Sequence, residues 1–109
     1  MMKVKSKSYT LIKSDGSWLG QIVLTSDGMF ASVTDWGNLS FAWRHTGRDD
    51  FRDFLCGLDV EYFGRKMYQG NTYILYSKAC EKACHRFAKE ILPTLQEVLK
   101  QDLIDNPKW

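Results

Sequence analysis

An α+β fold is predicted for this chain: an antiparallel β-meander with a long C-terminal helix and two short helices on one face, in the order β-β-β-β-α-α-β-α. Three observations carry that prediction. Apolar residues in the last third recur at helical spacing on one side only. Two Asp-Gly pairs, Asp15-Gly16 and Asp27-Gly28, each separate runs of β-forming residues. After Gly47 the hydrophobic period changes from that of a strand to that of a helix.

The first two strands are residues 9–12 and 18–24, which flank Ser14-Asp15-Gly16. An Asp-Gly pair there predicts a type I′ turn, because both central residues must tolerate positive φ. The same device recurs at Ser26-Asp27-Gly28, ahead of a third strand over 29–34. The two hairpin segments look alike, but nothing longer repeats, so a repeat array is excluded. Asp35-Trp36-Gly37-Asn38 makes a third turn before a fourth strand over 39–44. In that strand Leu39, Phe41 and Trp43 share one face, and Ser40, Ala42 and Arg44 the other. In the third, Met29, Ala31 and Val33 read as the core face, with Phe30, Ser32 and Thr34 on a mixed face left open.

Gly47-Arg48-Asp49-Asp50 then leads into Phe51, Phe54, Leu55 and Leu58. Asp50 with Asp53 resembles a short-acid capping box, and Gly57 is expected to close this helix in the left-handed region. Asp59 caps a second helix, in which Val60, Phe63 and Met67 face inward and Gly70 is the stop. Residues 72–76 return to strand character. Ser77 is the N-cap of the long helix, predicted over 77–103. Its stripe runs from Cys80 and Cys84 through Phe87, Ile91 and Leu95 to Leu99 and Leu103. Pro93 removes one backbone donor and crowds the preceding turn, so a kink is expected. Residues 104–109 are expected to fray.

A length of 109 residues predicts a single domain over 1–109. Hydrophobic residues at 44% and aromatics at 14% exclude a disordered chain. The net charge of +2 is too small to argue for nucleic acid or a membrane by itself. It is unevenly placed: Lys3, Lys5, Lys7 and Lys13 give the first thirteen residues +4, leaving −2 elsewhere. These lysines read first as protection of an edge strand against sheet-to-sheet pairing, with phosphate contact as the alternative. Cys56, Cys80 and Cys84 are odd in number and fall in helical segments. Cys80 and Cys84 lie side by side one turn apart, a poor disulfide geometry, so buried thiols in a reducing compartment are expected. With no leader-like start and no long apolar run, a cytoplasmic protein without a membrane partner is expected.

No catalytic spacing is present: no Gly-rich phosphate loop, HExxH, GxSxG or paired CxxC. Cys80, Cys84 and His85 form the nearest metal-like cluster, but His85 points about 100° away from Cys84 around a helix. His45, Asp49, Asp50 and Cys56 would need an exposed thiol within reach of the imidazole, and Cys56 lies in an apolar segment. No enzyme activity, metal or cofactor is expected.

Residues 36–48 are the richer stretch, holding Trp36, Phe41, Trp43, Arg44, His45 and Arg48. Trp and Arg dominate protein interfaces, because they join large buried area to directional hydrogen bonds. Phe41 and Trp43 read as core, while Trp18 and Trp36, at turns, suit core or surface equally. Such a mixture also suits single-stranded nucleic acid. Asp35, Asp49, Asp50 and Asp53 around it would repel phosphates, which favours a protein partner.

Three segments carry a resemblance: Ser17-Trp18-Leu19-Gly20, the run Trp36-Gly37-Asn38-Leu39-Ser40-Phe41-Ala42-Trp43-Arg44, and Tyr62-Phe63-Gly64-Arg65-Lys66-Met67-Tyr68 followed by Thr72-Tyr73. Together they resemble small accessory proteins of tailed phages and prophages, over most of the chain. The resemblance brings no catalytic residues. It implies expression inside a bacterial host cell and a role in the phage's dealings with that cell. The expectation is therefore a non-enzymatic interaction protein that binds a bacterial host protein through Trp18, Phe30, Trp36, Arg44 and Arg48. The alternative is a small nucleic-acid-binding protein using Lys3, Lys5, Lys7 and Lys13 with the turn aromatics. A homodimer through an open strand edge or the helix end is compatible with either.

Overall fold

The computed structural model describes residues 3–71 and 77–109. Strands β1 (Ser6–Ile12), β2 (Trp18–Thr25), β3 (Met29–Thr34) and β4 (Ser40–Ala42) form one antiparallel sheet in sequence order. Helices α1 (Phe51–Cys56), α2 (Val60–Asn71) and α3 (Lys78–Asp105) follow. The α+β meander with a long C-terminal helix is thus the observed fold, and the strand expected at 72–76 lies outside the described residues.

The core lies between the helices and one face of the sheet. Leu11, Ile22, Leu24 and Phe30 meet Phe63, Met67, Phe87, Ile91 and Leu95, all fully buried. Each large apolar side chain so buried contributes about 1.5–3 kcal/mol. Phe30 meets Phe63 edge-on at 5.3 Å, and Phe63 stacks on Phe87 at 6.3 Å. Gly64 lets α2 close on α3, since an added Cβ would lie 3.3 Å from the His85 Cα and 3.5 Å from the Ala88 Cβ.

Several local expectations change. The two Asp-Gly hairpins are not type I′ turns: among the described residues none but glycine has positive φ, so Asp15 and Asp27 stay in ordinary conformations. Each turn is closed by the glycine N–H, Gly16 to the Lys13 carbonyl and Gly28 to that of Thr25, and only the glycine is left-handed. Gly57 ends α1 at φ −92, not in the left-handed region, because its N–H bonds back to the carbonyls of Phe54 and Leu55. Asp50 caps α1 by accepting from the Arg52 N–H, but Asp53 turns away to pair with Arg48. α2 passes through Gly70 to Asn71, and α3, with Pro93 inside it as expected, runs two residues further, to Asp105.

The end of the chain is held as well. Helix α3 extends beyond residue 103, the Asn106 carbonyl accepts from Arg52, and the Trp109 ring lies against Arg52 and Lys7. Among the described residues, no helix is long and apolar enough to cross a membrane.

Candidate functional site

The face of the sheet turned away from the helices is set by the register. Inward positions are Tyr9 and Leu11 on β1, Ile22 and Leu24 on β2, Phe30, Ser32 and Thr34 on β3, and Phe41 on β4. This corrects the expected parity of β3 and removes Phe30 from the exposed set, since its ring is wholly buried. The reason is local. Ser32 Oγ donates to the Leu39 carbonyl and Thr34 Oγ1 to that of Gly37, so both hydroxyls are satisfied without water. Gly20 opposite Thr34 leaves room for it, because a Cβ there would sit 2.6 Å from the Thr34 Cγ2. Phe30, with far more surface to bury, then takes the core position.

The consequence is a mixed outer face, on which apolar side chains are interspersed with the exposed Thr10 and Gln21. Met29 and Val33 project outward with Val23 and Ala31 between them, and Val33 is 57% exposed. A bulge at the β1–β2 end pairs Leu11 with Gly20 but Ile12 with Trp18, so Leu19 is the extra residue. Leu19 and Gly20 are both buried there, while Ile12 and Trp18 face out, Trp18 at 42% exposure. Ile12, Trp18, Val33 and Met29 thus lie across one side of a three-strand surface.

The other expected contact residues separate. Trp36, in the β3–β4 turn, is 37% exposed, and the Arg86 guanidinium of α3 lies 4.7 Å from its ring centre. It therefore belongs to the helix side. Arg44 and Arg48 are at the opposite end of the sheet, in a cleft of about 690 Å³ that they share with Lys3, His45, Asp27 and Asp49. Arg48 also pairs with Asp53 at 2.8 Å. The N-terminal lysines do not act together: Lys7 reaches Asp102 at 3.3 Å, Lys13 reaches Asp35 at 3.6 Å, Lys3 lines the cleft, and Lys5 is exposed.

Cys84 is buried and Cys56 half-buried, and burial pushes both thiols up in pKa. Cys80 is exposed, a correction to the buried reading, because the apolar stripe of α3 makes its first buried contact one turn later at Cys84. His85 lies 3.6 Å from Glu61 across the helix pair. No group of three His, Cys, Asp or Glu that could hold a metal gathers among the described residues.

One cluster escapes sequence reasoning. Arg52 is fully buried and holds Asp50 in a two-pronged contact, Nε to Oδ1 at 3.0 Å and Nη2 to Oδ2 at 2.7 Å. Its Nη1 donates to Asp102 and to the Asn106 carbonyl, both at 2.9 Å. The Tyr9 hydroxyl donates to the same Asp102 oxygen at 2.6 Å. Burial pushes the Asp102 carboxyl up, but donors from Tyr9, Asn106, Arg52 and Lys7 together hold it far below the usual carboxylate range. The Arg52 fork likewise lowers Asp50, against a smaller opposing effect of burial. Burial, reinforced by Asp102, raises the Tyr9 phenol. This is a structural tie between β1, α1 and the end of α3.

A family model described as a phage family matches residues 2–82, about three quarters of the chain. Neither the curated proteins nor the solved structures yield a match.

Proposed function

The chain belongs to this phage family, and on that premise we propose that it is a non-enzymatic protein-interaction module, a modulator of a bacterial host protein or defence complex, acting inside the host cell. The docking surface is the open face of the sheet. The observation that carries this reading is the exposure of Ile12, Trp18, Met29 and Val33 on one side of the molecule. Single apolar residues are ordinary on a surface, whereas four large ones on one face, with Gln21 beside Val33, suit a contact that also offers hydrogen bonds. Trp18 is the natural anchor, since an indole offers large area at little entropic cost. Arg44, exposed two residues past the end of β4 in the cleft beside Gly28, supplies a polar border at the Met29 end of the face. Strand addition at β4 is disfavoured, because the Asn71 amide already bonds both the N–H and the carbonyl of Ser40. The outer face is the surface on offer.

The test compares the native chain with a Trp18→Ser/Val33→Ser variant as baits in host-cell lysate, with retained proteins identified by mass spectrometry. A protein held by the native chain and lost by the variant, at unchanged melting temperature, supports the reading. Equal retention by both baits would falsify it, and self-association abolished by the same variant would assign the face to a homodimer.

A further inference from the structure

A second surface lies on the helical side, in a groove of about 1000 Å³ between α2 and α3. Five cations line it, Arg65 from α2 and Lys78, Lys82, Arg86 and Lys89 from α3, against the carboxylates of Glu61 and Glu81. That is a formal +3 in one groove, more than the +2 of the whole chain, so the remainder carries −1. Of the ten cations elsewhere, four, Lys7, Lys13, Arg48 and Arg52, sit on an aspartate. Lys78, Lys82, Lys89 and Arg65 form no ion pair among the described residues, whereas Arg86 pairs with Glu90 at 3.0 Å one turn on. Like charges one turn apart on a helix repel and cost stability unless an anion lies over them.

The spacing identifies the anion. Lys78, Lys82, Arg86 and Lys89 follow one another by four, four and three residues, steps of about 4.5–6 Å along a helix. A ligand whose negative charges recur at a regular step matches such a row, as the phosphates of an extended nucleic-acid strand do. At Arg86 the row meets an aromatic platform, because the guanidinium lies over the half-exposed Trp36 ring. A ring beside a phosphate-binding cation is what an unpaired base stacks against. We infer that the α2–α3 groove binds single-stranded nucleic acid, with phosphates along the lysine row of α3 and a base at Trp36. This surface is distinct from the sheet face and does not depend on it.

Fluorescence anisotropy with a labelled oligothymidylate of about 15 nucleotides tests the inference. With about four phosphates engaged, affinity should fall roughly 50-fold between about 50 and 200 mM salt. Lys78→Glu/Lys82→Glu/Lys89→Glu should abolish binding, and Trp36→Ala should weaken it several-fold with little change in the salt slope. Trp18→Ser/Val33→Ser should leave it unchanged, which separates this outcome from that of the sheet face. If the glutamate triple variant unfolds, the glutamine triple variant reads the same contacts and should reduce the salt slope by about two. Absence of binding at low salt, or binding indifferent to the lysine substitutions, overturns the inference. Equal affinity for a polyglutamate of matched charge also overturns it, and assigns the groove to an acidic protein.

Discussion

Along its β1 edge the sheet is tied to the helices by charge, and along its β4 edge by shape. At β1, Lys7 and Tyr9 meet Asp102 of α3, and Arg52 joins Asp102 to Asp50 at the start of α1. At β4, Gly70 lets α2 lie directly on the strand, Asn71 caps Ser40, and the Trp43 Nε1 donates to the Tyr62 hydroxyl at 3.2 Å. The lesson concerns dependence on conditions. A tie made of ionised groups loosens when those groups titrate or lose a partner, whereas close packing responds to volume and ignores pH.

The largest expected effect breaks the charged tie outright. Arg52→Met keeps much of the buried volume but leaves Asp50 and Asp102 without their guanidinium. Removing one partner of a buried pair costs about 3–5 kcal/mol. Solvent still reaches both carboxylates, and Lys7 remains beside Asp102, so the lower end of that range applies. Urea unfolding should show the midpoint fall accordingly. A loss under about 1 kcal/mol would mean the cluster is ornamental rather than structural.

Next in size is a change of shape on the opposite edge. A Cβ at Gly70 would lie 2.8 Å from both the Ser40 carbonyl oxygen and the Phe41 Cδ1. Overpacking of this kind costs about 1–3 kcal/mol. The gain in helix propensity from Gly to Ala returns at most about 1 kcal/mol. Gly70→Ala should therefore be destabilised by up to about 2 kcal/mol. An increase in thermal stability would show that α2 and β4 are less tightly apposed than these distances require.

The pH dependence sharpens the contrast. Asp50 and Asp102 have folded pKa values below their unfolded ones, so the folded state binds fewer protons in acid. Their contribution is complete above the unfolded carboxylate value of about 4 and is lost as pH falls below it. Tyr9 is raised, so its contribution is complete below the unfolded phenol value of about 10 and is lost in alkali above it. Unfolding free energies measured across pH should show an acid limb that Asp102→Asn flattens. Gly70→Ala should shift the whole curve down and leave its shape alone.

The same contrast explains what the sequence made legible. The meander, its turn positions and the stripe of α3 follow from local signals, namely Asp-Gly pairs and a hydrophobic period, so they could be read directly. The parity of β3 could not, because Met29-Ala31-Val33 is the more apolar set and nothing nearby announces that Ser32 and Thr34 find carbonyl partners across the sheet. The charged tie was hidden for a different reason. Arg52 and Asp102 are fifty residues apart, and no periodicity links them. The only hint was Arg52 beside Phe51, on the side of a short helix with little room for a solvated face. Of the expected contact residues, Trp18 suited core or surface equally and only the structure shows it 42% exposed, whereas Phe30 was misplaced with the parity of its strand.

The smallest expected effect on stability belongs to the outer face, which neither tie uses. Trp18→Ala removes a ring that is already 42% exposed and whose cross-strand neighbour, Ile12, is itself exposed. A cross-strand pair of that kind contributes about 0.2–1 kcal/mol. Urea unfolding should therefore register less than about 1 kcal/mol, with an acid limb identical to that of the native chain. Binding should respond in the opposite proportion, because an anchor tryptophan at the centre of an apolar contact commonly contributes 2 kcal/mol or more. A Trp18→Ala chain that is nearly as stable as its parent yet no longer retains the partner would separate the surface that recognises from the edges that hold. A chain that lost both together would place Trp18 among the residues that build the sheet, and the outer face would lose its claim to be a docking site.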